Sequence, residues 1–378
     1  MSKDNSKVHR DVIIVGAGPA GTSCARKLTR AGYEVAILDK AKFPRDKLCA
    51  GWVPPSLFRR LGIEPSEYPG GLREYRSLHF RIKGFPLKVP TRQYALRRIE
   101  FDHWMLQRSG AELYQHQVHK IERVDGGLKV AEEPHRKQKK IHPEACFLID
   151  DRFTCRYVVG AGGTGCPVAA WQRKIAGMKR SRESLIVTLE AEFPYPFKNR
   201  ECYLRFFDHR IVGYSWYFPK ADGYLTIGIG GKQAALSRRG ETIREHWDKF
   251  IQHLDRTDLV KGKPWKNRPE DIETESDDQE SGAEGPLSLP TGTIPTPAGH
   301  SYYLRSSDVA TQEHRAVSEG HVFLIGDAAG FATLDMGEGI EPAVHSGQLT
   351  ARAIIDGRPL RIEPVKRRSL PNILRPGR

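Results

Sequence analysis

The chain has 378 residues, 39% of them hydrophobic and 9% aromatic. That supplies a sizeable core and excludes disorder as the general state. Sixty Lys and Arg against 46 Asp and Glu leave a net charge of +14, a field that favours anionic partners such as acidic lipid or phosphorylated small molecules, and no apolar run reaches the ~18 residues of a membrane-spanning helix.

Met1 to Arg10 is polar and lacks the apolar stretch of a secretory signal, so a cytoplasmic chain with reduced thiols is expected. Asp11–Val15 (Asp-Val-Ile-Ile-Val) is β-branched and runs into glycine, which predicts a buried strand. Pro19–Arg30 carries Ala20, Cys24, Ala25 and Leu28 on one face and predicts a helix closed by Gly32. Glu34–Leu38 predicts a second strand with Asp39 at its end, and an irregular Gly- and Pro-rich stretch covers 43–71. Alternation from Leu78 to Val89 predicts a hairpin turning near Lys83-Gly84. Arg98–Ser109 predicts a helix with Phe101, Trp104, Met105 and Leu106 as its apolar stripe. Tyr157–Val159 predicts a short strand before Gly160-Ala161-Gly162-Gly163.

From Leu185 to Gly231 the pattern turns to β, with strands predicted at Ile186–Leu189, Val212–Tyr217 and Leu225–Ile229, followed by a helix over Ile243–Leu254. Pro269–Gly285 holds many Asp and Glu and no basic residue, and reads as a solvated acidic loop able to fold over the chain's own basic face. Val322–Ile325 predicts the last buried strand and Gly339–Asp356 the last helix. The basic tail from Arg361 has several Pro and no periodicity, which predicts an extended or frayed segment. Neither the tail nor the run His135–Lys140 is interleaved with aromatics, and no zinc-finger or RNA-recognition signature occurs, so nucleic-acid binding is not expected. The six cysteines (24, 49, 146, 155, 166 and 202) form no CxxC pair and no Cys/His cluster with metal-ligand spacing, so no metal site is expected.

Gly16-Ala17-Gly18-Pro19-Ala20-Gly21 is a G-x-G-x-x-G set between a predicted strand and a predicted helix, the context that pattern needs. Gly16 permits the tight turn, Gly18 lets the backbone approach a pyrophosphate, and Gly21 lets the helix pack on the strand. The helix N-terminus then offers free N–H groups to the phosphates. Asp39 lies 18 residues beyond Gly21, where a carboxylate can accept ribose hydroxyls. NAD and FAD share this fingerprint. A second glycine-lined segment, Ile325-Gly326-Asp327-Ala328-Ala329-Gly330 completed by Gly337-Glu338-Gly339-Ile340, begins 309 residues after Gly16 and suits the other end of a long two-headed cofactor. Gly339 opens a predicted helix whose N-terminus could face an electron-rich ring.

These two motifs, with Tyr214-Ser215-Trp216-Tyr217-Phe218-Pro219-Lys220 between them, resemble the geranylgeranyl reductases over residues 10–355, within the larger group of para-hydroxybenzoate-hydroxylase-like flavoproteins. The resemblance implies an α/β fold. Its main part would be a Rossmann-like FAD-binding domain of the glutathione-reductase type, a three-layer ββα arrangement, with an inserted antiparallel β-sheet substrate domain. The FAD domain would comprise 1–75, 92–183 and 295–358, and the substrate sheet 76–91 and 184–265. An acidic insertion would occupy 266–294 and a basic tail 359–378.

By position, Ala20 and Asp39 would contact the ADP part of FAD, and Arg98 its phosphate and ribityl region. Val118 would meet the adenine through a strand backbone. Cys49-Ala50-Gly51 would lie by the isoalloxazine, Asp327 on the ribityl chain, and Gly337, Gly339 and Ile340 beside the ring. Several positions depart from the family pattern. Gly162-Gly163 stands where Asp-Gly is usual, which leaves NAD(P)H as electron donor open. Trp52 narrows the space near the ring, Met336 replaces the usual Thr, and the segment after the last helix is short.

The implied activity is reduction of carbon–carbon double bonds in an apolar, isoprenoid-like substrate, with hydride from the flavin and a proton from an acid. Cys49 is the first candidate acid, and Tyr214 or Tyr217 the next. Alternation along a strand puts Tyr214, Trp216 and Phe218 on one face and Tyr217 on the other, so Trp52, Trp216 and Phe218 are candidate substrate contacts, with core packing as the alternative. An apolar substrate and a basic surface together imply a peripheral visit to anionic membranes. Two other functions stay open: flavin-dependent oxygenation or halogenation, and a catalytically silent or electron-transfer flavoprotein. Oligomeric state is open.

Overall fold

The computed structural model describes residues 7–124, 146–177, 179, 181–261, 263–264, 293–304 and 321–374. The predicted acidic loop and the run His135–Lys140 lie outside them. The chain begins with β1 (Val8–Val15), α1 (Pro19–Arg30), β2 (Val35–Asp39), β3 (Trp52–Val53), α2 (Pro55–Leu61), β4 (Leu72–Ile82), β5 (Phe85–Leu96) and α3 (Arg98–Gln107). Next come β6 (Glu112–Gln115), β7 (Ile121–Val124), β8 (Cys146–Ile149), β9 (Phe153–Gly160) and α4 (Pro167–Ile175). The second half holds β10 (Leu185–Pro194), β11 (Tyr203–Phe206), β12 (Gly213–Pro219), β13 (Tyr224–Lys232), α5 (Gln233–Arg238) and α6 (Ile243–Arg256). After the short pair β14 (Lys263–Pro264) and β15 (Thr293–Ile294) follow β16 (Ala298–Tyr303), β17 (Val322–Leu324), α7 (Ile340–Asp356) and α8 (Leu370–Ile373).

The first sheet runs β6-β2-β1-β9, all parallel, with β17 parallel beside the C-terminal half of β9. β8 and β7 extend it antiparallel from the N-terminal half of β9. Parallel strands covered on both faces need near-continuous apolar sequence, and Val12, Ile13 and Ile14 supply it, all fully buried. One face packs Val12 and Ile14 against α1 and α7 through Leu28, Cys24 and Ala343, and the other packs Ile13 and Phe147 against Val168 of α4. A Cβ at Gly347 would come within 2.3 Å of the Ala20 carbonyl oxygen, so the close crossing of α7 over α1 requires glycine there.

The second sheet runs β16-β10-β13-β12-β11-β4-β5-β3, antiparallel except for the β11–β4 pair. One face is sealed by α5 and α6, which bury Trp247, Phe250, Ile251 and Leu254 against Leu189, Ala191, Tyr217 and Ile227. The start of α6 is fixed by a reciprocal cap. Thr242 Oγ1 accepts from the Glu245 N–H at 3.3 Å, and Glu245 accepts from the Thr242 N–H at 2.8 Å. The opposite face carries Trp52, Leu78, Phe80, Leu204, Trp216 and Phe218 and meets Met336.

Four expectations change. β9 is an eight-residue central strand rather than a three-residue one, because pairing with both β1 and β8 makes its polar first half buried. The hairpin extends well beyond Leu78–Val89 at both ends, with its turn at Lys83-Gly84 as expected. Val118 lies in the connection between β6 and β7, not on a strand. The tail is not frayed: Ile362, Val365 and Ile373 are buried, residues 370–373 are helical, and Asp335 accepts from the N–H groups of Ser369 and Leu370 at 2.9 Å. Tyr217 does point away from Tyr214, Trp216 and Phe218.

Candidate functional site

The turn after β1 forms a phosphate-sized cradle. Gly16, at φ +116°, donates its N–H to the Leu38 carbonyl at 2.8 Å, and a Cβ there would lie 2.5 Å from the Ala161 carbonyl. A Cβ at Gly21 would meet the Gly16 oxygen at 2.0 Å. Both glycines are therefore steric necessities of the β1–α1 turn. Gly18 differs: the nearest atom to a Cβ there is an Arg45 guanidinium nitrogen at 3.8 Å, so the helix N-terminus opens toward a cation. Asp39 accepts from the Ala17 N–H at 2.8 Å and the Ala41 N–H at 2.9 Å, which fixes the carboxylate at the end of β2 while each oxygen keeps a lone pair for a hydroxyl.

Arg98 on α3 binds fully buried Asp102 through two hydrogen bonds of 2.7 Å. Arg45 adds a third contact to Asp102 at 3.1 Å. Burial alone would depress the Arg98 guanidinium, but the Asp102 charge outweighs it and holds the group above its ordinary range. Two guanidiniums on one carboxylate leave one net positive charge beside Gly18, which suits a diphosphate at a helix N-terminus.

The second glycine segment lies against the first. A Cβ at Gly326, φ +59°, would come within 3.0 Å of the Ala20 Cβ, and the Gly326 N–H donates to Ser346 Oγ at 3.1 Å. Asp327 follows in a 3₁₀ turn, its carboxylate facing Gly339 at the start of α7, where a Cβ would sit 3.5 Å from Oδ1. Thr333 and Glu338 close the intervening loop: the Glu338 N–H donates to Thr333 Oγ1 at 3.0 Å, and the Thr333 N–H donates to the Glu338 carbonyl at 2.9 Å. Lys366 of the docked tail pairs with the Glu338 carboxylate at 2.7 Å, yet burial still pushes that carboxyl above its usual range.

The second sheet presents a polar group to this loop. The Tyr214 hydroxyl donates to the Met336 carbonyl, and Tyr302 crowds Gly337, where a Cβ would be 2.2 Å from its hydroxyl. Burial pushes both phenols up, so they stay protonated. Glu190 is buried on β10. It pairs with His300 Nδ1 at 3.0 Å, and its Oε2 has no hydrogen-bond partner. Lys220 ties Cys49-Ala50-Gly51 to the sheet: its Nζ donates to the Cys49 carbonyl at 3.0 Å and to Glu192. Glu192 also accepts from Arg97 at 2.8 Å and Thr226 at 3.0 Å. Those cations hold the Glu192 carboxyl below its usual range although burial opposes them.

Tyr214 thus meets the loop that leads to Gly337 and Gly339, and Cys49 packs against the cluster that holds Ile340 of α7. Trp216 is buried over Gly228, where a Cβ would be 2.2 Å from its ring, and its Nε1 has no partner. Trp52 donates to Gln93 at 3.0 Å, and Phe218, fully buried, packs between Trp52 and Tyr75. Sequence reasoning missed Arg45, Glu190, Glu192, His300 and Tyr302. Glu190 and Glu192 gave a signal, since they stand two apart in an otherwise apolar strand. No signal pointed to Arg45. Among the described residues no group of three or more His, Cys, Asp or Glu could hold a metal ion, and no helix is long and apolar enough to cross a membrane.

The cradle at Gly16–Gly21, the cationic pair beside it and the adjoining Gly326–Ile340 segment fit the two ends of FAD. The family profile described as FAD binding domain matches residues 9–354. A digeranylgeranylglycerophospholipid reductase of Methanosphaera stadtmanae is 25% identical over 93% of this chain and 80% of its own length. A menaquinone reductase of Mycobacterium tuberculosis is 27% identical over 63% of this chain and 58% of its own. Among solved structures, a geranylgeranyl bacteriochlorophyll reductase-like protein of Thermoplasma acidophilum has a TM-score of 0.65 at 17% identity, covering 93% of this chain and 79% of that one. A flavin-dependent brominase has a TM-score of 0.60 at 16% identity over 93% and 79%. The chain belongs to the FAD binding domain family and is an FAD-dependent oxidoreductase similar to the geranylgeranyl reductases.

Proposed function

We propose that the protein reduces carbon–carbon double bonds of an apolar, isoprenoid-like substrate laid across the β10–β13 face of the second sheet. The observation that carries this reading is the meeting of an aromatic face, Tyr214 and Trp216, with the Met336–Gly339 loop, while Cys49 packs beside Ile340 at the start of α7. Bound and reduced, FAD would supply the hydride for one carbon of the double bond. The chain supplies the rest. Asp39, Arg45, Arg98 and Asp327 would hold the two ends of the cofactor. Trp216 walls off water, and the Cys49 thiol offers the proton to the other carbon. Tyr214 is the alternative donor, although its proton is already committed to the Met336 carbonyl.

Both named relatives above act as reductases, one on a digeranylgeranyl lipid and one on menaquinone, by their names. A substrate of that kind would draw the protein to the cytoplasmic surface of a membrane. The test is anaerobic turnover of a geranylgeranylated lipid by dithionite-reduced protein in D2O. The expected product carries two deuterium atoms across one former double bond, and Cys49→Ala slows its formation by about a hundredfold, the range of a lost acid. A product formed only with oxygen present would move the protein to the oxygenating or halogenating flavoproteins instead.

A further inference from the structure

The β4–β5 hairpin keeps its apolar side chains on one face and its basic ones on the other. Across the pairing Ile82 faces Phe85, Phe80 faces Leu87 and Leu78 faces Val89, so these six share a face. Exposure climbs outward along it: Val89 is 7% exposed, Leu87 51% and Phe85 78% on β5, and Phe80 is 5% and Ile82 41% exposed on β4. Phe207, 43% exposed, follows directly after β11 and meets the Phe206 ring at 6.3 Å, beside the Lys83 N–H that donates to the Phe206 carbonyl at 3.2 Å. Arg81 and Lys88 hold alternate positions and Lys83 the turn, all exposed. From Tyr75 to Ile99 the chain has no Asp or Glu. Asp208, in the adjoining loop, is already paired with Arg205.

Single exposed apolar residues are ordinary, but three large ones together at a hairpin tip, with a fourth in the adjoining loop, are not. The apolar face also continues inward without a break. Phe80 stacks on Phe206 at 5.9 Å, Phe206 on Tyr214 at 4.8 Å, and Tyr214 meets Trp216 at 5.6 Å. An apolar tip with only basic charge at its turn and on its other face complements one kind of surface: an acyl interior beneath an anionic layer. We infer that the hairpin seats the protein on an anionic lipid surface, with Ile82, Phe85, Leu87 and Phe207 at the acyl boundary and Arg81, Lys83 and Lys88 among the phosphates. The aromatic row from Phe206 to Trp216 then leads an isoprenoid chain from the lipid to the Cys49 site. Only this inward route rests on the proposed reduction. The docking does not.

The test is cosedimentation of the FAD-loaded protein with phosphatidylglycerol–phosphatidylcholine vesicles and with phosphatidylcholine vesicles alone. The protein is expected to bind the anionic vesicles and not the neutral ones. The double variant Phe85→Ser/Leu87→Ser should bind at least tenfold more weakly, with flavin content and melting temperature unchanged. Lys83→Gln and Lys88→Gln should each weaken binding roughly fivefold at low salt. A wild type that stays in the supernatant, or a double variant that binds as well as wild type, overturns the inference. Loss of vesicle binding in the double variant upholds the docking element even if no alkene is ever turned over, a result that would count only against the reduction.

Discussion

Lys220→Met is the most informative single change, because Lys220 joins the second sheet to the segment that carries Cys49. The side chain is buried, and its Nζ serves Glu192 and the Cys49 carbonyl. Methionine preserves the length and removes the charge. Breaking a buried ion pair costs about 3–5 kcal/mol when the partner is left alone. Here Arg97 still neutralises Glu192 from 2.8 Å and Thr226 still donates to it. The expected loss is therefore one hydrogen bond to a charged group plus one unsatisfied carbonyl, about 3 kcal/mol in all. Glu192→Gln leaves Lys220 without a carboxylate while Arg97 keeps Glu100 at 3.2 Å, and should cost about as much. The double variant should cost less than the sum of the singles by about 1.5 kcal/mol or more, the size of a close coupled pair. Urea unfolding followed by tryptophan fluorescence reads all three, and FAD retention reads the site. A single variant within about 0.5 kcal/mol of wild type, or additive effects, would refute the coupling of sheet and site through Lys220.

Other changes test other parts. Gly228→Ala puts a Cβ 2.2 Å from the Trp216 ring, so the ring must move; a stability loss of about 1–3 kcal/mol is expected, and Trp216→Phe in the same chain should recover part of it. Arg45→Gln removes a charge-assisted contact worth about 1.5–3 kcal/mol if it reaches the diphosphate, so a fluorescence titration should show FAD binding about 10- to 100-fold weaker, with the fold intact by circular dichroism. His345 on α7 is pushed down to about 4 by burial and by Arg60. A depressed folded value means stability present above the ordinary 6.5 and lost as pH falls toward 4, so His345→Gln should flatten the decline in melting temperature across that window.

Much of this architecture is local, and local features were legible. The β1–α1–β2 unit follows from five consecutive strand residues, a glycine turn and one helical face. The alternation along β12 correctly separates Tyr217 from Tyr214, Trp216 and Phe218. What sequence reasoning missed depends on distant partners. β9 looked short because Phe153–Arg156 becomes strand only between β1 and β8. The tail looked frayed because Ile362, Val365 and Ile373 are isolated apolar residues, and only the Glu338–Lys366 pair and Asp335 show where they dock. Arg45 lies in an irregular stretch, and its position over Gly18 is set by Asp102, 57 residues later.

The most direct test of the central claim is the visible spectrum of the purified protein during one anaerobic turnover. The flavin bands should bleach with dithionite and then return, without air, in proportion to added isoprenoid alkene, with one mole of saturated product per mole of FAD. A protein that stays colourless after reconstitution with FAD, or bands that return only when air is admitted, would contradict it.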